Sequence, residues 1–594
     1  MLKTIFRIAA AGILALTAFG LSPAPSAEAN APKILHRGNG AEPSSLDPHQ
    51  AQGQWEAHII GEMILGLTTE GPDAKPIPGA ATSWTVSPDG LVWTFKLREG
   101  ATWSDGVPVT ADDFVFAWRR LMDPATAAQY ASLLYIVKNA RAVNGGDMQP
   151  SELGVRAVDP LTFEVTLESP APYLAEVLSH QAAFPVPRHK VEALGNDWVK
   201  PGSFVGNGPY MLAEWSPQNY VRVVRSPSFY DAANVKIDEI FFYPTSDSEA
   251  ALQRFRTGAL DMQDGFPPSK IDWLRENLPN AIKLAPYLVV SYTVVNHRRA
   301  PFNDVRVREA LSLGFDRETL STRIYRLGEP AAYSLVPPGV ANYPGEARLS
   351  FADMARDARI ARAKELLASA GFGPDNPLSF KYNYINDPDT RRAAAAIQQF
   401  WAEIGVKVEL QASEAAVHYN SYLQTGDFDV AAAGWVADFN DAENFLFMFE
   451  TQNEGFNYGG YSSPVYDDLM ARSRFLTDIA ERGRMLNDAE AVLLADHAII
   501  PTRFPYTRYL VQEWVKGFVP NQRDTYRARW LDIERPGGTA ETAADPDASA
   551  SANAAAAPEE GGGFFATIWG WIVSAWNWFL GLLCSWFGVA CPQS

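Results

Sequence analysis

WTFKLREGATWSDGVPVTADDFVFAWRRL, residues 93–121, is the stretch on which the fold turns. It opens with the apolar alternation of a half-buried strand, passes through a tight turn and a capped helix start, and ends in a helix. Tryptophans stand at Trp93, Trp103 and Trp118.

The same mixture extends outward on both sides. Residues 91–97 and 162–167 show the period-2 apolar character of strands. Residues 358–370 and 391–404 read as helices, each followed by the glycine stop expected just past a helix end, Gly371 and Gly405. Strands and helices interleaved in this way predict an α/β protein. At 594 residues the chain is too long for one core, so two to four domains are expected. Charged residues make up 20% and apolar ones 47%, ordinary for a globular protein. The formal charge is −19 with no basic run, which excludes nucleic acid as a partner.

Residues 1–29 read as a secretory signal peptide. Lys3 and Arg7 form the charged start, residues 8–21 an apolar stretch, and Ala27-Glu28-Ala29 a small-x-small cleavage site. Removing Lys3, Arg7 and Glu28 takes away +1 and leaves −20. The two cysteines, Cys584 and Cys591, both lie near the C-terminus, so the globular part depends on core burial rather than on disulfides.

Five blocks occur in a fixed order along the chain: 36–50 (HRGNGAEPSSLDPHQ), the opening stretch, 205–212 (VGNGPYML), 296–320 (NHRRAPFNDVRVREALSLGFDRETL) and 426–449 (GDFDVAAAGWVADFNDAENFLFMF). Together they resemble the periplasmic solute-binding proteins that serve ABC importers of peptides and nickel, and the resemblance covers residues 35–533. It implies a two-lobed fold with an extra inserted domain. Lobe I would take residues 32–65, 190–290 and 506–535, the insertion 66–189, and lobe II 291–505. Ligand would sit between lobes that close by hinge bending. The partners implied are a peptide ligand and the permease subunits of the inner membrane. No cofactor is implied.

The resemblance also implies roles for particular residues. Asp438 matches the carboxylate that pairs with a peptide's amino terminus, an interaction that orients the ligand. Alone, it fits a turn or cap aspartate equally well. Trp435 and Tyr130 match aromatic positions near the ligand, although their residue types also suit a core. Gln52, Gly53 and Gln54 correspond to an edge segment that pairs with the peptide backbone, or form a plain turn. Where some members hold basic groups for the ligand's carboxylate, this chain has Ser312, Leu423 and Ala432. Arg391 or Arg392 lies near another such position and also suits a solvated helix face. The amine anchor is therefore retained while the carboxylate anchors are largely lost. No phosphate loop, His-Glu-x-x-His or Gly-x-Ser-x-Gly motif occurs, and no pair of the eight histidines has a usual metal-ligand spacing. An enzyme is not expected. The reading is an oligopeptide receptor of an ABC importer. The alternatives are a receptor for murein peptides or other amino-ended solutes, and a membrane-tethered sensor or chaperone on the same fold.

The tail departs from the family. Residues 536–563 have the composition of a flexible acidic linker, with a reach of roughly 30 Å. Residues 564–590 hold five tryptophans and no charge. As a helix, this segment is long enough to span a bilayer, and Thr567, Gly570, Ser574, Asn577, Gly581, Cys584 and Gly588 form a small-residue seam. The expectation is a transmembrane tether to the inner membrane. Truncation after Arg535 should release the protein into the soluble periplasmic fraction; unchanged fractionation would contradict the tether.

Overall fold

The computed structural model describes residues 31–535. The signal segment, the linker and the proposed transmembrane segment lie outside the described residues. Among the described residues no helix is long and apolar enough to cross a membrane.

Three sheets organise the chain. The largest has seven strands, in the order Ile282–Pro286, Tyr506–Val511, Met262–Asp264, Ile34–Gly38, Glu239–Tyr243, Tyr220–Arg225 and Tyr210–Ser216. Its central strand, Ile34–Gly38, runs parallel to both neighbours, and the outer strands are antiparallel. A five-stranded sheet takes the order Lys407–Ser413, Ser379–Ile385, Val430–Val436, Val289–Val295 and Ile499–Arg503. A four-stranded antiparallel sheet, Ala81–Val86, Val92–Leu97, Thr162–Thr166 and Val155–Asp159, falls within residues 66–189. The first and last of these sheets share one hydrophobic cluster, while the five-stranded sheet is enclosed by two others.

The residue 93–121 block shows why its sequence folds as it does. Strand Val92–Leu97 is followed by helix Ala111–Met122. Asp113 caps the helix by accepting from the Thr110 amide at 2.8 Å, and the Trp103 indole reaches the same carboxylate oxygen at 3.4 Å. Trp103 and Trp118 are fully buried. Trp118 donates to the Ala183 carbonyl at 3.0 Å and meets Phe163 edge-on at 5.1 Å, which fastens the helix to the four-stranded sheet.

The other blocks are joints. In VGNGPYML, Gly208 donates to the Met63 carbonyl at 2.9 Å, and Asn207 brackets the Leu65 backbone at 2.8 and 3.1 Å. A Cβ at Gly206 would lie 2.0 Å from the Met63 carbonyl oxygen, so only glycine allows this approach. Asn296 donates to the Gly426 and Phe428 carbonyls, both at 2.9 Å, which ties the fourth block to the fifth. Arg317 is fully buried and donates to the Ala332, Pro501 and Ser312 carbonyls and to the Ser312 hydroxyl. Burial pulls its guanidinium down to about 10.

Predicted and observed elements agree closely. The helices run Arg356–Ser369 and Pro388–Ala402, and Gly371 and Gly405 adopt φ of 92° and 83°, the left-handed stop. The second helix starts earlier than expected because Asp387 caps it and Pro388 occupies its first position. Trp118→Ala should lower stability by about 3–5 kcal/mol by leaving a large cavity, measured by urea unfolding. A loss below about 1 kcal/mol would contradict this account of the packing.

Candidate functional site

Two stretches of chain cross between the large sheets. Strand Ile282–Pro286 of the seven-stranded sheet leads into Val289–Val295 of the five-stranded sheet, and Ile499–Arg503 leads back into Tyr506–Val511. These crossings form the floor of a cleft between two lobes. Across the cleft, Tyr173 from the segment of the four-stranded sheet stacks on Phe439 at 4.5 Å, and the Arg482 guanidinium lies 5.3 Å from the Tyr173 ring centre. Arg482 is itself buried against Asp441 at 2.7 Å and Glu443 at 2.9 Å.

Asp438 sits just past the end of strand Val430–Val436, beside this contact. The Asn444 side-chain oxygen accepts from the Asp438 amide at 3.0 Å and from the Trp435 indole at 2.9 Å, so one residue orients both. Burial pushes the Asp438 carboxyl up to about 6, although Arg523 and Asn444 oppose the shift. Trp435 is half-buried and meets Phe447 and Phe456 edge-on at 5.7 and 5.1 Å. Tyr130 packs against His180 at 4.9 Å. Its hydroxyl is pushed up to about 12, by burial first and then by the Asp438 charge, which places it in the same electrostatic environment.

The remaining candidates are spread along the cleft. Gln52 and Gly53 turn their amides to the Glu56 carboxylate at 2.9 and 2.6 Å, capping helix Gln54–Met63. Gln54 donates to the Tyr287 hydroxyl at 2.7 Å, beside one crossing. Arg391 is exposed in the first turn of helix Pro388–Ala402. Next to it, Thr390 lines a cavity of about 210 Å³ on the five-stranded sheet. Small residues, Ser291, Thr293, Ala432 and Gly434, form part of its wall, with Tyr382, Tyr384 and Tyr419 around them.

Of the positions compared with carboxylate anchors, only Ala432 faces this cavity. Ser312 is fully buried and accepts from Arg317, and Leu423 is fully buried in a hydrophobic cluster. Three site residues carried no sequence signal of their own: Asn444, Arg503 and Arg523. Arg503 lines the cavity, but its charge is met by Glu329 at 2.6 Å and its guanidinium lies over Tyr325 at 3.7 Å. Among the described residues no cluster of His, Cys, Asp and Glu is placed to hold a metal ion.

Two lobes, two chain crossings and an oriented, partly desolvated carboxylate at their junction define a solute-binding protein. Residues 75–457 match the model of the bacterial extracellular solute-binding proteins, family 5 (middle), and the chain belongs to that family. The periplasmic oligopeptide-binding protein OppA of Salmonella typhimurium is 37% identical over 496 residues, 82% of this chain and 90% of that protein. The periplasmic murein peptide-binding protein MppA of Escherichia coli is 34% identical over 497 residues, 83% and 91% of the two chains. Among solved structures, Haemophilus influenzae OppA in complex with the peptide RPPGFSPFR superposes with a TM-score of 0.75 at 35% identity. That likeness covers 85% of this chain and 99% of the other.

The raised Asp438 pKa has a direct consequence. An ammonium group binds the ionised form, and that form is depleted as pH falls through about 6. Affinity for an amine-ended ligand should therefore fall about tenfold from neutral pH to about pH 5, with proton release on binding near pH 6. Asp438→Asn should remove this pH dependence and weaken binding by about 2–5 kcal/mol, as read by calorimetry.

Proposed function

We propose that this protein is the periplasmic receptor of an ABC importer and captures peptides by their free amino terminus, for delivery to an inner-membrane permease. The observation that carries this reading is Asp438. Its carboxylate is held by Asn444 in a cleft where burial disfavours its charge, and the described residues supply no ion pair for it. An unpaired desolvated carboxylate of this kind favours a ligand that brings its own cation. Kinship with peptide-binding OppA and MppA supports peptides as the ligands. Trp435 and Tyr130 then flank the bound end, Gln54 stands at the hinge beside it, and Arg391 overlooks the far end. Gln52 and Gly53 contribute through the shape of the helix entry rather than through their amides. The chain binds its solute without transforming it.

Around the tyrosine-lined cavity Arg503 is already paired with Glu329, which favours ligands whose carboxylate end is not held tightly. Murein peptides are the second reading, favoured by the MppA likeness and by the same amine anchor. The apolar segment 564–590 supports a tether that would raise the receptor's effective concentration at the permease, a reading that rests on composition alone.

Nα-acetylation tests the amine anchor. Acetylating a bound peptide should weaken its binding by about a hundredfold or more, as expected for loss of a desolvated charge pair. Equal binding of the free and acetylated forms would overturn the reading.

A further inference from the structure

The Asp438 end of the cleft holds a cation that amine capture does not use. Arg523 stands in the loop between strand Val515–Lys516 and the short helix Ala528–Trp530. This loop is locked from within by Asn521, which is 5% exposed. Its side-chain oxygen accepts from the amides of Arg523 and Thr525 at 3.1 and 3.3 Å, and its side-chain nitrogen donates to the Thr525 carbonyl at 2.8 Å. One residue earlier, the Gln522 carbonyl accepts from the Leu288 amide at 2.9 Å, which fastens the loop to a lobe crossing. The backbone that presents Arg523 is therefore fixed relative to the hinge.

The same Leu288 ties the loop to the Asp438 end of the five-stranded sheet, because its carbonyl accepts from the Ala437 amide at 2.8 Å. Asp438 feels the charge of Arg523, as do Glu176 and His180 from the segment that carries Tyr130 and Tyr173. Yet Nη1 of Arg523 is buried without a hydrogen-bond partner, and no described carboxylate forms an ion pair with this side chain. By contrast, Arg482 holds Asp441 and Glu443, Arg503 holds Glu329, and Arg527 holds Glu70. Glu176 is the other acid near Arg523, but burial pushes its carboxyl up to about 7, so at neutral pH it supplies only part of a charge.

The charge balance fails when a simple peptide binds. An ammonium on Asp438 occupies the anion that offsets Arg523, leaving two cations close together in a desolvated site. The balance is restored when the ligand carries an anion beside its own amine. Resting on the peptide reading above, we infer that Arg523 is a specificity-determining residue that receives the side-chain carboxylate of the ligand's first residue, so that peptides beginning with Glu or Asp are preferred. The fixed loop and the unpartnered Nη1 make it a preorganised donor to a carboxylate.

Calorimetry with two pools of random short peptides, identical except for Glu or Gln at the first position, tests this at neutral pH. The wild-type protein should bind the Glu pool about tenfold or more tightly than the Gln pool, the worth of one partly desolvated charge pair. Arg523→Gln should abolish that preference. Arg523→Lys should retain the preference. Equal binding of the two pools by the wild-type protein overturns the role of Arg523 and leaves the peptide reading intact. Binding of neither pool overturns the peptide reading itself.

Discussion

The paired lobe crossings are the constraint on which the rest depends. Ile282–Pro286 and Tyr506–Val511 are antiparallel neighbours in the seven-stranded sheet. Their continuations, Val289–Val295 and Ile499–Arg503, are antiparallel neighbours in the five-stranded sheet. Two adjacent strands thus leave one sheet together and enter the other together. Each gap is too short to let the lobes drift apart. Several side-chain and backbone bonds converge on these crossings. Gln54 on Tyr287, Gln522 on Leu288, and Glu329 on Arg503 all sit there.

Above the hinge, electrostatics rather than apolar burial shapes the site. A carboxylate that burial pushes up to about 6 is held in place by an amide that also fixes a tryptophan. Among the described residues no side chain forms an ion pair with it; Arg523 acts on it only through its field. The nearby Asp441–Arg482–Glu443 cluster shows the opposite arrangement, in which mutual pairing satisfies buried charges and leaves nothing for a ligand. One group of buried charges holds the lobe against Tyr173, and the other stands ready for solute.

Much of the fold was legible because its determinants are local. Strand alternation at 92–97, the tryptophans packed around helix Ala111–Met122, and the left-handed stops at Gly371 and Gly405 act through near neighbours or through backbone geometry. The site was legible only where a block carried it. Asp438 and Trp435 stand within residues 426–449, but Asn444, which orients both, lies in the same block and gave no pattern of its own. Arg523 is brought near Asp438 by the fold alone, since its neighbour Gln522 is fastened to Leu288, which in turn accepts from the Ala437 amide. Ser312 and Leu423 illustrate the reverse: matched by position along the chain, they are interior residues, one serving Arg317 and the other a hydrophobic cluster.

The central claim is that this cleft takes up peptides through Asp438. Native mass spectrometry of the protein purified without denaturation, recorded before and after unfolding, tests it most directly. The account predicts a heterogeneous set of peptide masses released on unfolding, all with free amino termini, and their loss from Asp438→Ala. A single non-peptide mass, or an unchanged peptide load on Asp438→Ala, would contradict it.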